Sequence, residues 1–198
     1  MTTIDQTHSG MNFTRRAPGA PLAAALHRVI ATDDDRAATV ARLALGFIML
    51  PHGLQHALGF FGGYGFSGTL GWMTGTLGFP APLAALAIVI ELIAPFFLIA
   101  GLGGRLAAAG IAGIMAGAIL THAPAGFFMN WFGKLPAGTE GYEYHLVVTA
   151  LAAVVAIKGS GALSVDRMLQ PLRVLRARLD RVGAKVGGQQ VDEGADLG

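Results

Sequence analysis

APLAALAIVIELIAPFFLIAG, residues 81–101, decides how the rest of the chain is read. It is an apolar run of about 20 residues, the length needed to cross the hydrocarbon core of a bilayer. One charge interrupts it, Glu91, near the middle. At about 1.5 Å rise per residue that carboxyl sits roughly 15 Å from either end. A carboxyl at that depth costs several kcal/mol unless it is protonated, paired or in a wet cavity. Pro95 follows four residues on, and lacks the N–H that would bond the Glu91 carbonyl. A titratable side chain and a freed carbonyl therefore share one level, which is where a working site is expected.

The composition agrees with a membrane protein. Only 13% of the 198 residues are charged and 53% are hydrophobic, against about 25% charged in ordinary soluble domains. The mean hydropathy is +0.56. The 29 glycines suit closely packed helices. There is no cysteine, so disulfide relay and thiolate chemistry by this chain alone are excluded. The pI near 9.3 comes from basic residues flanking apolar spans, which argues for topology and anionic lipid rather than nucleic acid. The short apolar run Pro21–Leu26 is broken by His27 and Arg28 and is too short and polar for a cleaved leader.

Working outward, residues 1–32 read as a cytoplasmic tail with a short surface helix over 21–31. Thr32, Asp33, Asp34 and Asp35 supply a helix cap and first-turn acids. Four spans are expected at about 37–58, 81–101, 105–123 and 142–157, together a membrane domain over 33–163. Between the first two, residues 59–80 form an uncharged, Gly- and aromatic-rich loop with a short helix near Ser67–Leu77. A second aromatic loop, carrying Trp131, precedes the fourth span. In the third span Ala109, Gly113 and Gly117 recur at four-residue spacing, a pattern that lets backbones approach. From 164 to 186, apolar residues at three- and four-residue intervals alternate with arginines, as in a basic amphipathic helix on a membrane surface. Residues 187–198 read as a disordered tail. The fold class is thus all-α: a membrane four-helix bundle, up-down-up-down, with a basic amphipathic C-terminal helix.

Lys and Arg set the orientation. Arg15, Arg16, Arg28 and Arg36 precede the first span and seven basic residues follow Ile157, whereas residues 59–80 have none and residues 124–141 only Lys134. The positive-inside rule puts both termini in the cytoplasm of a cell inner membrane and both aromatic loops outside. His52, Gln55, His56, Glu143, His122 and His145 then share the outer half, with Glu91 at mid-depth. Such groups turn toward the bundle interior or water, so His52, Gln55, His56, Glu91 and Glu143 are the candidate pocket, with His122 and His145 as weaker candidates. Each also has a plain structural use. Glu91 could fix helix packing, Glu143 could be a first-turn acid, and His122 and His145 could bond loop backbone. Arg42 is expected to snorkel to the inner surface or to pair with an early Asp.

The same residues resemble a family. Arg42-Leu-Ala-Leu-Gly46 with His52-Gly-Leu-Gln55 is similar to the first helix of DoxX-type membrane proteins, and Gly78-Phe-Pro80, the run ELIAPFFLIAGL from Glu91, Gly141-Tyr-Glu143 and the segment Gly159–Asp166 fit the same pattern over about residues 38–168. His56 stands where the family often has Lys, and Pro95 where it often has Gly. The resemblance implies a four-helix integral membrane protein of redox systems, among them subunits of quinone-reducing or quinol-oxidising complexes. It carries over to His52, Gln55, Glu91 and Glu143. The expected function is a redox-associated accessory subunit, with quinone as ligand and with the lipid bilayer, oxidoreductase subunits and further copies of the chain as partners. A non-catalytic scaffold that recruits soluble proteins through the basic helix is the alternative. A haem or metal on His52, His56, His122 and His145 is weaker still, since their spacing matches no strict ligand pattern.

Overall fold

The computed structural model describes residues 28–134, 136 and 139–170. Among them the chain is all-helical. The elements are α1 (Arg36–Leu58), a 3₁₀ turn (Phe60–Gly62), α2 (Gly65–Gly75), α3 (Ala81–Ala100), α4 (Gly104–His122), a second 3₁₀ turn (Ala123–Ala125) and α5 (Glu143–Lys158). Residues 28–30 and 165–170 are also helical. The expected surface helix over 21–31 and basic helix over 164–186 lie mostly outside the described residues, and the expected disordered tail over 187–198 lies wholly outside them.

α1, α3 and α4 are long and apolar enough to cross a membrane. α5 is shorter, at 16 residues. The bundle buries small and medium side chains, Ala41, Leu45, Met49, Ala94, Leu98, Ala108, Ile111, Met115, Val148, Ala152 and Val155. Large apolar side chains such as Phe47, Leu86, Phe96, Phe97, Leu106 and Leu120 lie exposed on its outside. Helices apolar on every face, with the smaller residues inward, are built to pack in lipid. The Ala109–Gly113–Gly117 row is not the packing face. α4 buries Ala108, Ile111 and Met115 instead, and the close approach is at Gly110, where an added Cβ would lie 2.9 Å from Ile90 Cγ2.

α1 meets α3 most closely at Gly53. A Cβ there would sit 2.2 Å from the Glu91 carbonyl oxygen. That carbonyl is the one Pro95 cannot serve, so the bare Cα of Gly53 sits where the α3 ladder is broken. The contact pins the level of Glu91 against the histidine turn of α1.

The end of the bundle where α1 and α4 begin and α3 and α5 finish is held by side chains capping other helices. Arg42 is 1% exposed, so it neither snorkels nor pairs with an early Asp. Its Nε donates to the Ser160 carbonyl at 2.7 Å, and Nη1 to the carbonyls of Ile99, at 2.8 Å, and Leu98. Nη2 donates to the Leu163 carbonyl at 2.5 Å. A guanidinium thus meets the open carbonyls at the negative end of α3. Arg105 does the same for α5, donating to the carbonyls of Ala156 at 2.5 Å and Ile157 at 2.7 Å, and to that of Ala31 at 3.0 Å. Asp166, buried, caps α4 from outside it: Oδ1 accepts from the Gly103 amide at 2.9 Å, and Oδ2 from the Gly104 amide at 3.3 Å and the Ser160 hydroxyl at 2.6 Å. Gly101 turns the chain between α3 and α4 at φ 71°, and a Cβ on it would press on Ser164 at 2.5 Å. Asp35 caps α1 through the amides of Ala37 and Ala38 and pairs with Lys158 at 3.2 Å. The Ala38 amide first, then Lys158, hold its carboxyl below the usual carboxylate pKa.

Candidate functional site

The opposite half is organised differently. α1 carries His52 and His56 one turn apart on one face. α3 brings Glu91 against them, 8% exposed. His56 Nδ1 and Glu91 Oε2 are 2.7 Å apart, a hydrogen bond between an imidazole and a carboxyl group inside an apolar bundle. Because Nδ1 is engaged, Nε2 is the free nitrogen of His56. The His56 side chain is 36% exposed, so this buried pair reaches the flank of the bundle. α2 lies over the same turn, where the Thr69 hydroxyl donates to the His56 carbonyl at 3.0 Å.

His52 turns the other way, toward α5. Its Nε2 lies 3.2 Å from the Tyr144 hydroxyl, which is also 3.9 Å from Met49 Sδ. The His52 and His56 rings stand edge to face with centroids 6.4 Å apart. Tyr144 was not among the residues singled out from sequence. Its only signal was position, one place before His145 in the first turn of a helix expected to be short.

Gln55 lies directly beneath the following loop. A Cβ on Gly63 would come within 2.4 Å of its Cγ. Glu143 stands apart from Glu91 and holds the second aromatic loop. Its Oε2 accepts from the Met129 amide at 3.3 Å and the Trp131 indole at 3.2 Å. The loop also bonds back on the start of α5, with the Glu143 amide donating to the Phe127 carbonyl at 2.9 Å.

His122 and His145 form a second pair, with ring centroids 4.6 Å apart and planes tilted by 32°. His122 Nδ1 is 2.7 Å from the Glu140 carbonyl. A carbonyl only accepts, so Nδ1 carries a proton and Nε2 is the basic nitrogen of the neutral ring. His145 Nδ1 is buried and makes no hydrogen bond of full geometry among the described residues, although the Tyr142 backbone acts on the ring from one turn back. His122 borders an open cleft of about 510 Å³ that Trp72, Leu77, Thr121, Pro124, Pro136 and Thr139 also line. The four histidines proposed as haem or metal ligands therefore divide into two pairs, and among the described residues no three of His, Asp and Glu group as metal ligands.

The DoxX family model matches residues 37–124, from α1 through the turn after α4. The match includes His52, Gln55, His56, Glu91 and His122, and stops before Tyr144 and His145. No curated protein and no solved structure matches the chain.

Proposed function

The chain belongs to the DoxX family and is a multi-pass membrane protein, and from that premise we propose that it is an accessory subunit of a membrane redox system whose His56–Glu91 pair binds a quinone headgroup. The single supporting observation is that pair: a carboxyl group buried at the middle of α3, bonded at 2.7 Å to an imidazole that reaches the outside of the bundle. In a membrane that outside is lipid, so the ligand that meets His56 is one that partitions into lipid. A quinone carbonyl needs a hydrogen-bond donor that is also a proton carrier, and His56 Nε2 backed by Glu91 supplies one. Gln55, in the same turn, offers a second amide donor. A quinone, when bound, supplies a two-electron, two-proton couple. This chain's own residues would bind it, orient it and hold its proton.

In this proposal α5 completes an up-down-up-down bundle of four spans. It would cross at a thinner point, or with its ends drawn in by Arg105 and Lys158. Both termini are cytoplasmic in an inner membrane, by the distribution of Lys and Arg. The redox partner is an oxidoreductase subunit.

Purification in mild detergent, followed by extraction and mass analysis of bound lipid, tests the proposal. Co-purified quinone is expected, and its loss in His56→Phe. Protein that retains none, and whose melting is not shifted by added quinone, contradicts it. The scaffold alternative is favoured by the seven basic residues after Ile157. Truncation separates the two, but it must begin after Gln170, because Ser164 and Asp166 are buried parts of the bundle.

A further inference from the structure

α1, α3, α4 and α5 carry few titratable side chains. Apart from Arg36, Arg42, Arg105, Glu143 and Lys158 near their ends, there are six: His52, His56, Glu91, His122, Tyr144 and His145. All six fall in one row. Glu91 touches His56 at 2.7 Å. The rings of His56 and His52 are 6.4 Å apart, and His52 lies 3.2 Å from the Tyr144 hydroxyl. Tyr144 and His145 have ring centroids 5.6 Å apart, and His145 and His122 4.6 Å. His122 then opens on the cleft at the loop end. The row draws on all four helices, and nothing in the sequence spacing requires them to converge. Packing alone would be served more cheaply by apolar side chains, because each buried polar group needs a partner.

We propose that these six side chains are a proton path between the loop-end cleft and the Glu91 carboxyl. His122 takes a proton on Nε2, the nitrogen left free by its bond to Glu140. His145, whose buried Nδ1 makes no full hydrogen bond among the described residues, passes it toward Tyr144. The Tyr144 hydroxyl gives its proton to His52 Nε2 as it gains another. His56 completes the transfer to Glu91 Oε2. Each of the five relay side chains releases one proton for each it accepts and Glu91 keeps the proton delivered, so no electrons move. The ring-to-ring steps longer than a hydrogen bond are made by rotation of the imidazoles or through a bridging water. The groups facing Glu91 are His56 and His52 from α1 and Tyr144 from α5. α2 contributes the Thr69 hydroxyl nearby, and α4 has no titratable group between Arg105 and His122.

The path deepens the function proposed above and rests on it for the use of the proton, but its test reads the carboxyl and not the quinone. The full-length protein is reconstituted in liposomes free of quinone. The infrared carbonyl band of protonated Glu91, assigned by its loss in Glu91→Gln, is followed after a pH jump. Tyr144→Phe and His145→Phe are expected to slow the response about tenfold or more, with the same final extent as wild type. Lys158→Gln, at the other end, is expected to respond at the wild-type rate. If Tyr144→Phe does not fold, His145→Phe and His122→Phe carry the same test. Unchanged rates in these variants would mean that protons reach Glu91 sideways through His56, and would overturn the path. A Glu91 carboxyl that never titrates would overturn it as well. Absence of bound quinone in the earlier purification would instead remove only the quinone proposal.

Discussion

The two ends of the bundle use polar residues in opposite ways. At the Arg42 end, polar side chains chiefly meet backbone groups that would otherwise be open: Arg42 and Arg105 cover helix carbonyls, and Asp166 covers helix amides. At the histidine end, polar side chains chiefly meet one another, and one buried nitrogen makes no full hydrogen bond among the described residues. The first arrangement satisfies obligatory hydrogen bonds and has no part left over for chemistry. The second keeps titratable groups adjacent with unused nitrogens, an arrangement suited to moving protons. Burial of charge inside a membrane protein therefore does not by itself mark a site. What a buried group is bonded to separates the two cases.

Substitution can break this contrast, and the largest effect is expected at Arg42. Arg42→Met leaves the carbonyls of Ser160, Ile99 and Leu163 without their guanidinium donor, while that of Leu98 keeps the Gly101 amide. At about 1–3 kcal/mol for each buried group left unpaired, the loss is expected to prevent stable folding, as read by unfolding in detergent. A melting temperature near that of wild type would mean the end is not held as described. Gly53→Ala comes next. Its methyl would collide with the Glu91 backbone, forcing α1 and α3 apart at a cost of about 1–3 kcal/mol and separating His56 from Glu91, so stability and quinone retention should fall together.

Glu91→Gln should sharpen the comparison from the other side. The amide can still bond His56 and fits the same space, so stability should change by no more than about 1 kcal/mol, while quinone retention is lost. The smallest effect belongs to Asp35. Its folded-state pKa is depressed, so its contribution is full above the ordinary value of 3.8 and disappears as pH falls through the lower folded value. Asp35→Asn should remove that acid-side slope from a plot of melting temperature against pH. At neutral pH Lys158 should then lose its partner with only a small change, as expected for an exposed pair.

Hydropathy made the apolar helices legible, because an uninterrupted run of lipid-facing residues leaves little else for the chain to do. The place of Glu91 at the middle of its helix followed from helix geometry. Tyr144 did not, because a tyrosine in the first turn of a short helix looks like an interface anchor, and only the packing of α5 on α1 turns it toward His52. The role of Arg42 was also hidden. Its partners are main-chain carbonyls more than 50 residues away, which leave no mark on composition or period. Glu143 was expected in one pocket with Glu91, yet the fold of the aromatic loop gives it Trp131 and Met129 as partners.

Quinone bound per protein, measured by mass analysis for wild type and Glu91→Gln purified in parallel and matched by melting temperature, tests the contrast most directly. Quinone on the wild-type protein and its loss from an equally stable Glu91→Gln protein are the expected result. Equal retention by both proteins, or a Glu91→Gln protein that unfolds as readily as Arg42→Met, would place Glu91 with the residues that hold the bundle together.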